Sequence, residues 1–289
     1  MLKKRIIATL IIKNNIVVQS IGFKKYLPIG NINIAVESLN EWGVDEIIVL
    51  DIDASKQERL IDLSIVKNLS KYSLVPICIG GGISCIEDIK SLLDSGADKI
   101  CINQQFLEND SFIEEASKIF GIQCIIISLD IIKINKEYFV YNYITNNYTF
   151  TMREAILKAH KIGAGEIFIN SVDNDGKKCG YDINMIIQAC SISTIPIIAQ
   201  GGAKNAYDIQ KALEIKELAA VSASNMFHFT EHSITMTKSL LKKDKNAPIR
   251  LETNMKYCNS SFDKFGRLNK KTDEELEKQI FQIHKEEII

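Results

Sequence analysis

This chain nearly repeats itself at a spacing of 120 residues, and that repeat limits its fold more than any other feature. Val75-Pro76-Ile77 returns as Ile195-Pro196-Ile197, and Gly43 with Glu46 returns as Gly163 with Glu166. The glycines Gly80, Gly81 and Gly82 are echoed by Gly201 and Gly202, Asp53 by Asp173, and Asp88-Ile89 by Asp208-Ile209. Ile6–Ile11 lies over Ile125–Asp130 at almost the same shift. One such pair is coincidence, but this many at one offset marks a duplicated structural unit.

The unit alternates strands and helices. Apolar runs suited to buried parallel strands occur at Arg5–Ile12, Glu46–Asp51, Pro76–Ile79, Lys99–Ile102, Cys124–Leu129, Glu166–Asn170, Pro196–Ala199 and Leu218–Ser222. Between them lie amphipathic stretches such as Ile86, Ile89, Leu92 and Leu93. Eight strands and about eight helices predict an α/β chain forming a single (β/α)8 TIM barrel of two pseudo-symmetric half-barrels over residues 1–252. Residues 253–289 read as a polar linker and a C-terminal helix. Thr272–Glu275 has capping-box spacing, and Leu276, Ile280 and Ile283 form a narrow apolar stripe. That helix is expected to pack on its own barrel, with contact to a partner subunit as the alternative.

Composition excludes several classes of function. A formal net charge of −1 gives no electrostatic reason to expect nucleic acid or membrane as a partner. Arg5, Thr9 and Lys13 interrupt the apolar start, which therefore reads as a first strand rather than a signal peptide. Seven cysteines without CxxC spacing fit reduced thiols of a cytoplasmic protein, and no metal or cofactor is expected.

Barrels of this kind carry their active sites at the C-terminal ends of the strands. There the sequence places Asp51, Gly81-Gly82, Asn103-Gln104, Asp130, Asp175-Gly176, Gly201-Gly202 and Ser224-Asn225. Each glycine pair lets backbone N–H groups approach an anion closely, although tight βα turns are the plainer explanation for either pair alone. Taken together, Gly81-Gly82 with Asn103-Gln104 and Gly201-Gly202 with Ser224-Asn225 predict two phosphate cradles holding an elongated, doubly anionic ligand. Asp130, placed where the fifth strand should leave the sheet, faces the middle of that ligand as a general acid or base. Its plainer role is to cap the following turn. Asp175 reads equally as a second acid or as a turn residue before Gly176. At the opposite end, Arg5, Glu46, Lys99 and Glu166 begin four strands with charges of both signs. Spacing alone favours a stabilising salt-bridge cluster over a gate for a small molecule.

From Met1-Leu-Lys-Lys-Arg5 through Leu50-Asp-Ile-Asp53, Ile79-Gly-Gly-Gly-Ile83, Asp173-Asn-Asp-Gly176 and Ala199-Gln-Gly-Gly202 to Ile249-Arg-Leu-Glu252, the chain resembles the cyclase subunit of imidazole glycerol phosphate synthase. The resemblance implies a barrel docked at its bottom onto a glutaminase subunit. Ammonia from that partner would pass Arg5, Glu46, Lys99 and Glu166 and be used on a small phosphorylated substrate. It also implies a catalytic role for Asp130. The family's first catalytic aspartate falls on Ile11, its usual lysine on Gln19, and Gln104 and Asn225 replace smaller hydroxyl residues. An isoleucine carries no proton, so the departure points to a divergent paralogue that uses ammonia in surface-glycan (amidino-sugar) biosynthesis. Two alternatives stand beside it: a non-catalytic ammonia conduit that activates the glutaminase, and a true cyclase of histidine biosynthesis.

Overall fold

A computed structural model describes residues 3–228 without a break, then 230, 232–242, 244 and 248–252, with isolated positions from 257 to 274. In chain order the elements are β1 (Arg5–Lys13), β2 (Ile16–Ile21), β3 (Lys25–Gly30), α1 (Ile32–Glu41), β4 (Glu46–Asp51), α2 (Leu63–Tyr72), β5 (Ile77–Gly80), α3 (Ile86–Asp94), β6 (Lys99–Ile102), α4 (Gln104–Glu108) and α5 (Asp110–Phe120). They continue as β7 (Ile125–Ile134), β8 (Glu137–Asn142), β9 (Asn147–Thr151), α6 (Met152–Lys161), β10 (Glu166–Ser171), α7 (Ile183–Ile192), β11 (Ile197–Gln200), α8 (Ala206–Leu213), β12 (Ala220–Ala223) and α9 (Ser233–Leu241).

Eight of these strands close into a parallel barrel in the order β1-β4-β5-β6-β7-β10-β11-β12 and back to β1. All eight are the strands expected from the apolar runs, and helices fill the crossovers, so the fold is a single (β/α)8 barrel. The seam between β1 and β12 is marked by buried Thr9 and Ser222, whose hydroxyls lie 2.7 Å apart. The duplication is visible in detail. Pro76 and Pro196 sit just before β5 and β11, and their carbonyls accept from Ile47 N–H and Ile167 N–H at 3.0 and 2.9 Å. Asp88 takes the N–H of Ser84 ahead of α3, and Asp208 takes that of Lys204 ahead of α8.

The hairpins differ from the sequence expectation. β1 and β7 both run on past the barrel and fold back, β1 into β2–β3 and β7 into β8–β9. Asp130 therefore does not end its strand: it is the last barrel-paired position but one, and β7 continues to Ile134. The turns are Asn14-Asn15 and Asn135-Lys136, all four residues at positive φ. Paired positive φ values are what a two-residue hairpin requires, and asparagine tolerates them. Neither turn contains the glycine that usually announces this geometry.

Arg5, Glu46, Lys99 and Glu166 meet at the barrel floor in a closed ring of alternating charge. Arg5 pairs with Glu46 at 2.7 Å and with Glu166, and Lys99 pairs with Glu46 at 3.1 Å and Glu166 at 2.6 Å. Glu46 is 2 % exposed, so this is no solvated surface cluster. Burial works against every charge in the ring, yet Arg5 and Lys99 hold the Glu166 carboxyl below its usual range. Side chains two residues along a strand share a face. Above the ring the same four strands accordingly present Ile7, Ile48, Cys101 and Phe168, which join Cys78, Ile126, Ile198 and Ala220 in a packed apolar layer across the axis. Two residues further come Thr9, Leu50, Asn103 and Asn170, where polarity returns. A larger apolar shell fills the space between barrel and helices.

The stripe Leu276, Ile280 and Ile283 expected of a tail helix lies outside the described residues, and so does most of the linker before it. Among the described residues, no helix is long and apolar enough to cross a membrane. Removing one carboxylate from the floor ring leaves Arg5 and Lys99 short of buried partners. Glu46→Ala should cost about 3–5 kcal/mol, against under ~1 kcal/mol for a surface pair. Urea unfolding of the two proteins distinguishes these values.

Candidate active site at the barrel roof

The roof is built from the loops that follow the strands. After β5, Gly81 and Gly82 have φ of 136° and 69°. A Cβ on Gly82 would sit 1.7 Å from the Arg59 carbonyl oxygen, so only glycine fits. Asp51 builds the neighbouring loop: its carboxylate accepts from the N–H groups of Asp53 (3.0 Å) and Ala54 (3.2 Å) and pairs with Arg59 at 2.7 Å. It therefore lines the cleft as a loop anchor rather than as a free acid. Gln104 opens α4 and donates to Glu108.

The second cradle repeats this geometry. Gly202 has φ of 95°, and a Cβ there would lie 2.1 Å from the Gly180 oxygen, which belongs to the chain segment that donates Gly180 N–H to the Gly202 carbonyl. Gly201, Gly202, Ser224 and Asn225 border a cleft of about 310 Å³ together with Asp175, Gly176 and Gln200. Among the described residues, nothing partners the buried Ser224 hydroxyl, Asn225 side-chain oxygen or Gln200 side-chain oxygen there. The structure thus brings together the residues expected of each cradle. Asp175 has a duty the sequence did not reveal. Its carboxylate accepts from the Ser20 hydroxyl at 2.6 Å and Phe23 N–H at 3.3 Å, and its carbonyl accepts from Gly22 N–H at 3.0 Å. It clasps the β2–β3 hairpin to the opposite half of the barrel, and burial pushes its carboxyl up.

Asp130 stands between the cradles at the floor of an open cleft of about 970 Å³, which also touches Gly81, Gly82, Asn103 and Gln104. It is 7 % exposed and accepts from the side-chain amides of Asn103 (3.1 Å) and Asn170 (3.2 Å). Burial raises its carboxyl to about 7, with the Asp175 charge adding and the two amides opposing. A carboxyl that titrates near neutrality can both take and return a proton. Across the barrel from it, β1 and β4 contribute Ile11, Leu50 and Ile52 to the lining, with Lys13, Asp51 and Asp53 beside them. Gln19 is buried at 6 % exposure.

Sequence reasoning missed Tyr26, Tyr143, Phe23 and Lys56, all of which line the same cleft, and it placed Asn170 at a strand end without giving it a role. Asn170 in fact lies one residue inside β10, which runs to Ser171. The aromatic residues were not findable, because they come from the two unforeseen hairpins. Among the described residues no group of three or more His, Cys, Asp or Glu side chains is placed to hold a metal ion.

The raised carboxyl of Asp130 sets a stability prediction. Its unfolded value is about 3.9 and its folded value about 7, so stability is greatest below the lower value and is lost as pH rises through the upper one. At ~1.4 kcal/mol for each tenfold change in ionisation, holding this group charged costs roughly 4 kcal/mol above pH 7. Asp130→Asn should therefore raise the melting temperature by several degrees at pH 8 and by less at pH 5. An equal shift at both values would contradict the assignment.

Residues 5–233 match the family described as "Histidine biosynthesis protein". The chain is 40% identical over 268 residues to the putative imidazole glycerol phosphate synthase subunit hisF2 of Vibrio vulnificus, covering 92% of this chain and 98% of that protein. It is 39% identical over 246 residues to imidazole glycerol phosphate synthase subunit HisF of Leptospira biflexa, covering 84% and 96%. The HisF subunit of Helicobacter hepaticus is likewise 39% identical over 254 residues, covering 86% and 99%. A family match over most of the chain, with relatives aligned nearly end to end, shows that this chain belongs to the histidine biosynthesis protein family and is HisF-like within it.

Proposed function

We propose that this chain is the ammonia-using synthase subunit of a glutamine amidotransferase pair, acting on a bis-phosphorylated ribonucleotide, the substrate that its resemblance to the cyclase subunit implies. The observation that carries this reading is axial. A ring of four alternating charges closes the floor, and one near-neutral carboxyl stands between two glycine cradles at the roof. Ammonia released below the ring would pass Arg5, Glu46, Lys99 and Glu166, then the apolar layer, and emerge beside Asp130. Both levels are filled, so transit requires them to open in turn. Gly81-Gly82 with Asn103 and Gln104 would hold one anionic end of the ligand. Gly201-Gly202 with Ser224 and Asn225 would hold the other, with Gly176 and Asp175 at its edge.

The floor also supports docking of a glutaminase. Tyr72, Leu74, Ile119 and Ile122, in or beside the helix-to-strand loops at that end, are exposed, and Leu74 is 87 % exposed. Asn40 holds the Leu74 loop in place, donating to the Tyr72 carbonyl at 2.7 Å and accepting from Leu74 N–H at 3.2 Å. A large apolar side chain on a fixed loop is a preorganised anchor for a partner.

A second reading is favoured by Ile11. Its apolar side chain occupies the cleft wall where a second acid would help, so the acceptor becomes a sugar of surface-glycan synthesis, with Asp130 working alone. On a third reading the barrel only conducts ammonia and activates the glutaminase.

One assay tests the first reading against the other two: purified protein with ammonium chloride and the bis-phosphorylated aminoimidazole carboxamide ribonucleotide. Turnover establishes the first reading. Absence of turnover, with glutaminase stimulation intact, transfers support to the second and third readings. Asp130→Asn should lower any turnover by at least about a hundredfold, whereas a pure conduit would be indifferent to it. Leu74→Arg should abolish stimulation of the partner glutaminase while leaving ammonium-driven turnover unchanged. Neither turnover nor stimulation would overturn the proposal altogether.

A further inference from the structure

Two tyrosines roof the larger cleft, one from each hairpin. Tyr26 lies on β3, and Tyr143 lies in the bend between β8 and β9. Each ring has a lysine beside it: Lys13 at 5.3 Å from the Tyr26 centroid and Lys56 at 5.4 Å from that of Tyr143. Lys56 comes from the loop after β4, so its contact ties the second-half hairpin across the cleft mouth to the first half.

The two phenols are committed differently. Tyr26 donates to the Phe23 carbonyl at 3.0 Å. Among the described residues no acceptor takes the Tyr143 proton, and the group beside its oxygen is the Ser55 hydroxyl. A serine there can donate to the phenol oxygen and leave the phenol proton directed to the cleft. Burial, and then the charges of Asp130, Asp51 and Asp53, hold Tyr143 above the usual phenol range, so it stays protonated at neutral pH.

The cleft therefore contains the Asp130 carboxyl at its floor, the apolar side chains of Ile11, Leu50 and Ile52, and at its roof the Tyr143 phenol, neutral and with no acceptor among the described residues. Addition of a nitrogen nucleophile needs a base where the proton leaves and a donor where negative charge develops. We propose that Tyr143 is that donor, a ligand-contacting residue that works opposite Asp130. In the step, the ammonia lone pair forms a C–N bond at a carbonyl carbon of the ligand. The π electrons move onto oxygen, which accepts a hydrogen bond from Tyr143, and the proton released by the new nitrogen passes to the Asp130 carboxylate. The inference rests on the first reading above, that this barrel adds ammonia to a bis-phosphorylated ribonucleotide.

Tyr143→Phe tests it, because this variant keeps the ring and its lysine contact and removes only the hydroxyl. With ammonium chloride and the bis-phosphorylated aminoimidazole carboxamide ribonucleotide as probe, kcat should fall about a hundredfold while KM stays within about threefold. The melting temperature should stay at the wild-type value, and Tyr143→Ala should raise KM as well. A Tyr143→Phe enzyme with wild-type kcat, or one altered in KM alone, overturns the inference and leaves the parent reading standing. A wild-type protein that does not turn over the probe overturns both.

Discussion

Four charged side chains buried at one end of the barrel set the terms for everything above them. Taking a carboxylate or ammonium group out of water costs several kcal/mol, and only a partner of opposite sign in good geometry offsets it. Here each charge has two such partners, so Arg5, Glu46, Lys99 and Glu166 are stable only as a closed set. That requirement fixes the relative heights of β1, β4, β6 and β10 at their starts. Strand periodicity then carries the registration upward to Ile7, Ile48, Cys101 and Phe168, and on to Thr9, Leu50, Asn103 and Asn170. The placement of Asn103 and Asn170 on either side of Asp130 is a consequence of where the floor charges stand.

Above the apolar layer the two halves stop being equivalent. The glycine turns, proline carbonyls and helix-capping aspartates still match across the duplication. The clefts do not: the larger one lies on the Gly81-Gly82 side, with Tyr26 and Tyr143 over it, although these come from different halves. Duplicated scaffolding with unequal roofs fits the proposed ligand, anionic at both ends and different in its middle. One carboxyl, held near 7 by burial, faces an isoleucine rather than a second acid.

Much of this was legible in the residues. The barrel strands stood out because each is a short apolar run, six of the eight opened by a proline or a charge, and the floor ring because four of those openings are charged. The two glycine loops of the roof were visible as Gly81-Gly82 and Gly201-Gly202 at equivalent places. The hairpins were illegible for a physical reason. Asn14-Asn15 and Asn135-Lys136 supply positive φ without glycine, and β3 is mostly exposed and lacks the alternation that identifies a strand. With the hairpins went Tyr26, Tyr143 and the true position of Asp130 inside β7. Asp175 was seen as a rim acid or a turn residue, because nothing in its neighbourhood points to Ser20, 155 positions earlier.

That clasp and the β1–β12 seam bear on the order of assembly. Thr9 meets Ser222 across 213 positions of chain, and Ser20 waits for Asp175. Within the barrel, β1 is made before the other strands and is among the last to be completed, with one edge unpaired until β12 arrives. Long sequence separation of this kind slows folding and leaves strand edges open to wrong partners. A nascent chain of this protein is therefore most exposed to misassociation at its N-terminal strand, and it loses that hazard only on release of nearly the whole barrel.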